Sequence, residues 1–338
     1  MAPSCARRSL ALLAGLLPSA LVAQRNTTTA RDSAPPRDYV ALGLEPSYVT
    51  VPSRWVGSGF AQPRPLIFEG SIVPHLALHA WRRHDLTLVL TPKVVVRMLD
   101  TTSKPVRSPS WMPRATLTFN PWDATRPVHE RDSIPVLGTF GYFKLIVSHH
   151  SNGQEDSTVI DGRPNLRSGD FSTNYVEFGG TAIREAERRD RSGRLRSRSV
   201  RLTTLSLEHH VGFAQEALRD DYGLTRLNLR ITQIGSTLPR PAMTEGIVRR
   251  SGGDNPDRPY FRADLTVSYI LNSARRTGAD ALFTNASVAY KIRELDDFWL
   301  FIGYQRGQDP YNSQWLAPRL LSAWRLGVLG TPTTVITR

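Results

Sequence analysis

Phe143-Lys-Leu-Ile-Val-Ser-His-His-Ser-Asn-Gly153 is the stretch on which the fold turns. Side chains on a β-strand switch faces at every residue. Phe143, Leu145, Val147, His149 and Ser151 therefore share one face, and Tyr142, Lys144, Ser148, His150 and Asn152 share the other. Only Ile146 interrupts the apolar and polar alternation. A histidine and a serine thus continue a greasy stripe, where a polar group is costly unless hydrogen-bonded. They are either ordinary residues at a strand boundary or the start of a site.

The same alternation recurs along the chain. Phe261, Ala263, Leu265, Val267, Tyr269 and Leu271 oppose Arg262, Asp264, Thr266 and Ser268. Leu227, Leu229 and Ile231 oppose Arg226, Asn228, Arg230 and Thr232, and Leu86, Leu88, Leu90, Val94 and Val96 oppose Thr87, Thr91, Lys93 and Arg97. Less regular versions fall near 66–80, 114–120, 173–184, 200–213, 281–292, 298–306 and 319–329, with a weak one near 40–51. Pro, Gly, Asn and Asp separate them, as turn residues do. The expected fold is all-β, an antiparallel barrel of about twelve strands.

The chain opens with Arg7 and Arg8, an apolar run from Leu10 to Leu17, and small residues up to Ala23, the pattern of a secretory signal peptide. The expected organisation is a signal at 1–23, a flexible polar leader at 24–37 and one barrel domain at 38–338. The single cysteine, Cys5, leaves with the signal, so disulfides and thiol chemistry are excluded from the mature chain. Loss of Arg7 and Arg8 takes the net charge from +13 to +11, which suits an anionic membrane surface. No nucleic-acid motif accompanies that charge. No run approaches the roughly 18 apolar residues of a membrane helix.

Alternation alone does not say which face is outside. Apolar side chains fill a soluble barrel but face lipid in a membrane barrel. About twelve strands enclose more space than a soluble barrel fills with side chains, and the export signal delivers the chain to the envelope. A transmembrane barrel is therefore expected, with Phe298, Trp299, Tyr304 and Trp324 at the membrane interfaces. The arginine-rich stretch 184–201 reads as a long solvated connection.

A serine nucleophile needs a base, and the base needs a partner that fixes its ring. His149 and Ser151 share a face, and in Ser172-Thr-Asn174-Tyr-Val-Glu-Phe178 the residue Asn174 shares an apolar set with Val176 and Phe178. Pairing of the two strands would bring all three to one surface. Asn165, in the intervening loop, competes for the third place. His149-His-Ser151-Asn-Gly153 followed by Asn174 resembles the signature of the outer-membrane phospholipase A family. Asp254-Asn-Pro-Asp257 and Gly303-Tyr-Gln-Arg-Gly-Gln-Asp-Pro-Tyr-Asn312 extend the resemblance over about 86–329.

The resemblance implies calcium-dependent hydrolysis of phospholipid acyl esters at the exterior of an outer-membrane barrel, activated by homodimerisation. It implies Ser151 as nucleophile, His149 as base and acid, Asn174 as orienting residue and Gly153 as oxyanion donor. It implies calcium near the Gln154 carbonyl and the Asp170 side chain, with a further ligand near Ser108 donated across the dimer. Glu155, Asp156 and Asp161 are either further ligands or solvated acids. A non-catalytic barrel, as pore or structural envelope protein, is the alternative, and a secreted lipid-binding barrel a third. His209 and His210 are adjacent, face opposite ways and read as structural.

Overall fold

The computed structural model describes residues 36–51, 66–80, 86–99, 103, 105–120, 133–134, 138–189, 191–193, 195–213, 219–236, 260–272, 281–291, 298–312, 315, 321–330 and 334–337. The signal and most of the leader lie outside them. A helix at Pro36–Leu42 is followed by β1 (Tyr48–Val51), β2 (Leu66–Ile72), β3 (His75–Ala80), β4 (Leu86–Leu99) and β5 (Ser110–Phe119). Next come β6 (Ser133–Ile134), β7 (Gly138–Ser151), the short β8 (Val159–Ile160) and β9 (Arg163–Pro164), β10 (Ser172–Arg189) and β11 (Leu195–Val211). A one-turn helix at Arg219–Tyr222 precedes β12 (Thr225–Gly235), β13 (Phe261–Ile270), β14 (Leu282–Lys291), β15 (Phe298–Gly307), β16 (Leu321–Gly330) and β17 (Thr334–Thr337).

The ladder closes. β1 pairs β2, which pairs β4; β4 pairs β5, β5 pairs β7 and β7 pairs β10. From β10 to β16 each long strand pairs the next, and β16 returns to β1. The result is a closed antiparallel barrel of 12 strands. β3 continues the line of β2 beside the lower half of β4, and β17 adds a parallel pairing to β3.

Burial follows strand parity. On β7, Lys144, Ile146, Ser148 and His150 face the lumen and are buried, while Phe143, Leu145 and Val147 are exposed. Val176, Phe178, Leu205, Leu207, Leu227, Leu300, Ile302 and Leu326 likewise project outward from neighbouring strands. So much contiguous exposed apolar surface is the exterior of a transmembrane barrel. Ile146 breaks the polar set in sequence but keeps its place in space.

The lumen is polar and its buried charges are paired, as charges away from bulk water must be. Arg97 binds Glu69 at 2.6 Å and Asp309 at 2.6 and 2.9 Å, and Glu69 also meets Arg325 at 3.3 Å. Lys144 and Ser206 both reach Glu177 Oε1, at 2.5 and 2.6 Å. The N-terminal segment enters this interior. Tyr39 packs on Ile183, Val200 and Leu202. Arg262 donates to the carbonyls of Leu42 and Leu44, and Glu45 takes Lys93 at 2.6 Å and Arg114 at 3.2 Å. Burial alone would raise the Glu45 carboxyl, but Lys93 and Arg114 outweigh it and hold it below the usual range.

Three expectations need correction. The weak strand near 40–51 is a helix through Leu42 and a strand only from Tyr48, and the leader's last residues, Pro36 and Arg37, open that helix. Most of the arginine-rich stretch is strand rather than loop, because β10 and β11 extend their hairpin as far as Arg189 and Leu195. Trp299 does not belong to an interfacial girdle. Its parity turns it inward, where it packs with Ala289, Phe301 and Leu329, whereas Trp324 is exposed with its ring 4.9 Å from that of Tyr304.

Candidate active site

β7 and β10 run antiparallel in a register that sets His149 opposite Asn174, His150 opposite Thr173 and Ser151 opposite Ser172. Parity places His149, Ser151 and Asn174 on the barrel exterior. Asn174 Oδ1 lies 2.8 Å from His149 Nδ1. With that oxygen as acceptor, Nδ1 carries the proton and Nε2 keeps its lone pair, the tautomer a general base requires. Among the described residues the Ser151 hydroxyl forms no hydrogen bond with His149. Such bonds commonly tighten only when substrate is bound. On the other side of β7, Trp111 of β5 stands opposite Ser151 and is exposed.

The lumen face behind these residues is tightly bonded. Ser110 Oγ and His150 Nε2 are 2.6 Å apart, and the His150 ring meets Phe171 edge-on. His210 joins Thr173 at 3.1 Å and Glu208 at 2.7 Å, while His209 turns outward to Thr225. The two adjacent histidines thus serve opposite faces, and the strand ends that carry the exterior residues are fixed from within.

After Ser151 the chain leaves the strand through Asn152 and Gly153. Asn152 is buried, and its side chain is a clamp: Nδ2 donates to the Gly169 carbonyl at 2.7 Å, and Oδ1 accepts from the amides of Gln154 at 3.2 Å and Phe171 at 3.1 Å. The departure and return of the loop are thereby tied to one side chain. Gly153 has φ +61° and is exposed. Glycine reaches that left-handed conformation without the steric cost of a Cβ.

Gln154 Nε2 donates to Ser108 Oγ. The Ser108 carbonyl accepts from Asn312 Nδ2 at 2.8 Å and from the Tyr311 hydroxyl. Burial pushes the Tyr311 phenol up to about 12, so it remains a donor. Tyr311 N also donates to Asp309 Oδ1 at 3.1 Å, which returns this brace to Arg97. The sequence singled out Asp309 to Asn312 only through resemblance; their bracing role, like the clamp at Asn152, appears only in three dimensions.

Asp170 donates its amide to the Asp156 carbonyl at 2.7 Å and lies beside the clamped Phe171. Gln154, tied to Ser108, and Asp170, next to the clamped Phe171, stand at the two ends of the loop that Asn152 ties, and with Ser108 they offer a carbonyl, a carboxylate and a hydroxyl. All are hard oxygen donors, a composition that fits calcium completed by water. The buried Asn312 Oδ1, which has no hydrogen-bond partner among the described residues, adds an acceptor on the residue that also holds the Ser108 carbonyl. Ser108 makes its contact with Gln154 within one chain. No cluster of three or more His, Cys, Asp or Glu side chains occurs among the described residues. Glu155, Asp156 and Asp161 are exposed, and Asp161 sits at a turn with φ 49°.

Asn165 is placed away from His149. Its oxygen accepts from the amides of Arg167 and Ser168, and its nitrogen donates to the Ser157 carbonyl at 3.1 Å. It folds the loop.

Fold and exterior polar residues together define a transmembrane barrel with a serine, a histidine and an asparagine on its lipid-facing surface. No family model matches the chain, and no curated protein matches it. Among solved structures, outer membrane phospholipase A from Escherichia coli is 12% identical, with 86% of this chain and 97% of that one covered and a TM-score of 0.48. An active-site mutant of that protein is 12% identical, covering 92% and 96%, at 0.49. The Salmonella typhi outer membrane phospholipase dimer with bound calcium is 11% identical, covering 92% and 96%, at 0.48. The closed ladder of this chain, not that likeness, establishes its fold.

Proposed function

We propose that this protein is an outer-membrane phospholipase that hydrolyses acyl esters of membrane phospholipids through Ser151, His149 and Asn174. The observation that carries the reading is the 2.8 Å contact between His149 and Asn174 on the same exterior surface as Ser151. A substrate dissolved in the bilayer reaches that surface laterally, so the apolar surroundings are where the ester resides.

In the proposed reaction the Ser151 hydroxyl gives its proton to His149 Nε2 as its oxygen attacks the acyl carbonyl. Asn174 holds the ring and stabilises the imidazolium less than a carboxylate would. The Gly153 amide faces the developing oxyanion. His149 then protonates the departing glycerol oxygen, which leaves as lysophospholipid. Water, deprotonated by His149, attacks the acyl-serine, and His149 returns that proton to the departing Ser151 oxygen as the fatty acid is released. Gln154 and Asp170, with Ser108 donated across the dimer, would hold calcium, which would supply positive charge to stabilise the oxyanion. A homodimer in the membrane is the proposed active form.

The pore alternative finds little support in the lumen. The segment from Tyr39 to Glu45 enters it, and at the site end Phe171, Tyr222, Leu224 and Trp315 pack into one buried cluster. Liposomes of phosphatidylethanolamine and phosphatidylglycerol test the reading. The expected result is calcium-dependent fatty-acid release that disappears in Ser151→Ala. Equal release by that variant would overturn it, and solute leakage without lipolysis would favour the pore.

A further inference from the structure

We propose that Arg184 and Arg201 form a binding site for the phosphate of a membrane phospholipid, on the leaflet opposite the Ser151 surface. The two arginines are directly paired across β10 and β11, and both are exposed. Parity turns them outward on the stripe that carries Val176 and Phe178 on β10 and Leu205 and Leu207 on β11. Like charges directly opposed on a sheet repel, because their Cβ atoms are only about 5 Å apart. Among the described residues no carboxylate pairs with either of them. The inward side of this ladder holds its own ion pair, Arg198 with Glu185 at 3.2 Å. Outward, Arg201 faces Gln233, which accepts from its Nε at 2.9 Å, and Gln233 in turn faces Ala263. Arg184 has no ion pair among the described residues. Two guanidinium groups thus rise from directly paired positions, Arg201 leaning toward Gln233, close enough at their bases to converge on one phosphodiester.

Height supplies an independent reason. From Asn174 to Arg184, β10 rises about 34 Å at ~3.4 Å per residue. A strand tilt of about 40° reduces this to roughly 26 Å along the barrel axis, close to the apolar band of a membrane barrel. If Asn174 marks one headgroup level, the arginine pair lies at the other. The occupant is therefore a lipid phosphate of that leaflet. The inference rests on the transmembrane barrel and does not depend on hydrolysis.

Native mass spectrometry of the full chain in phosphatidylcholine nanodiscs containing graded phosphatidylglycerol tests it. An arginine at the headgroup level contributes about fivefold in affinity for anionic lipid, so Arg184→Ala with Arg201→Ala should weaken phosphatidylglycerol retention by about 30-fold. Arg184→Lys with Arg201→Lys, which keeps charge without the fork, should fall between, and Arg191→Ala at the hairpin turn should change it by less than about twofold. In neutral detergent the double alanine variant should unfold at the same or a higher temperature, since a repulsion has been removed. Retention equal to wild type, an equal loss in Arg191→Ala, or a lower unfolding temperature in detergent would overturn the proposal. Displacement by millimolar inorganic phosphate would overturn the assignment to lipid.

Discussion

His149 and Asn174 are directly opposed in the ladder between β7 and β10, with Nδ1 and Oδ1 2.8 Å apart. The contact is set by backbone register rather than by a flexible loop, so Asn174 can be exchanged without moving the His149 backbone. Asn174→Ala should lower kcat about 100-fold with KM within about twofold, because the ring loses its orienting acceptor. Asn174→Asp should retain activity. Steady-state hydrolysis of a soluble fatty-acyl ester decides it; an alanine variant as active as wild type would remove Asn174 from the mechanism.

The clamp at Asn152 makes a different prediction. Asn152→Ala leaves the Gly169 carbonyl and the amides of Gln154 and Phe171 without their side-chain partner. The cost is about 2 kcal/mol, concentrated in the loop 152–171. Limited proteolysis should cut that loop faster while the barrel keeps its compact electrophoretic mobility. A loss of barrel folding instead would mean that the clamp serves the whole ladder.

Legibility in the sequence followed a simple physical distinction. Strands such as β7 and β13 have one apolar and one polar face, and alternation disclosed both. β10 and β11 beyond Ile183 are polar on both sides, Arg184 and Arg201 outward and Glu185 and Arg198 inward, so strand looked like loop. Trp299 failed for the opposite reason: an apolar residue inside a mostly polar lumen looks like an exterior one. The segment 36–47 carries no helical period because it is packed on several sides within a lumen. His149, Ser151 and Asn174 were legible because they are polar on greasy stripes. Asn152, Tyr311 and Asn312 were not, because their partners lie in distant loops.

Arg97 should be the most costly lumen residue to remove. It holds Glu69 and Asp309 at once, and its guanidinium lies 4.4 Å from the centre of the Tyr311 ring. Arg97→Ala leaves the buried Asp309 carboxylate without its cation and Glu69 with only Arg325 and the Tyr48 hydroxyl, and should cost about 3–5 kcal/mol. The midpoint of urea unfolding in detergent measures this. Activity should fall as well, since Asp309 and Tyr311 hold Ser108 against Gln154. A variant with unchanged stability would show that Glu69 and Asp309 find replacement partners.

Glu45 ties the N-terminal segment to the lumen wall through Lys93 and Arg114. Lys93 and Arg114 depress its carboxyl, so its contribution is complete above the unfolded carboxylate range, about pH 4.3, and fades as pH falls through the lower folded value. The wild-type barrel should thus be closed in planar bilayers at pH 7 and gain conductance only in strong acid. Glu45→Gln should remove about 2 kcal/mol of anchoring at pH 7. Arg262, bonded to the Leu42 and Leu44 carbonyls, still restrains the segment. Openings should therefore be brief in Glu45→Gln and longer when Arg262→Ala is added. Steady large conductance in the wild type at pH 7 would show that the segment does not block the lumen, and would return the pore reading to first place.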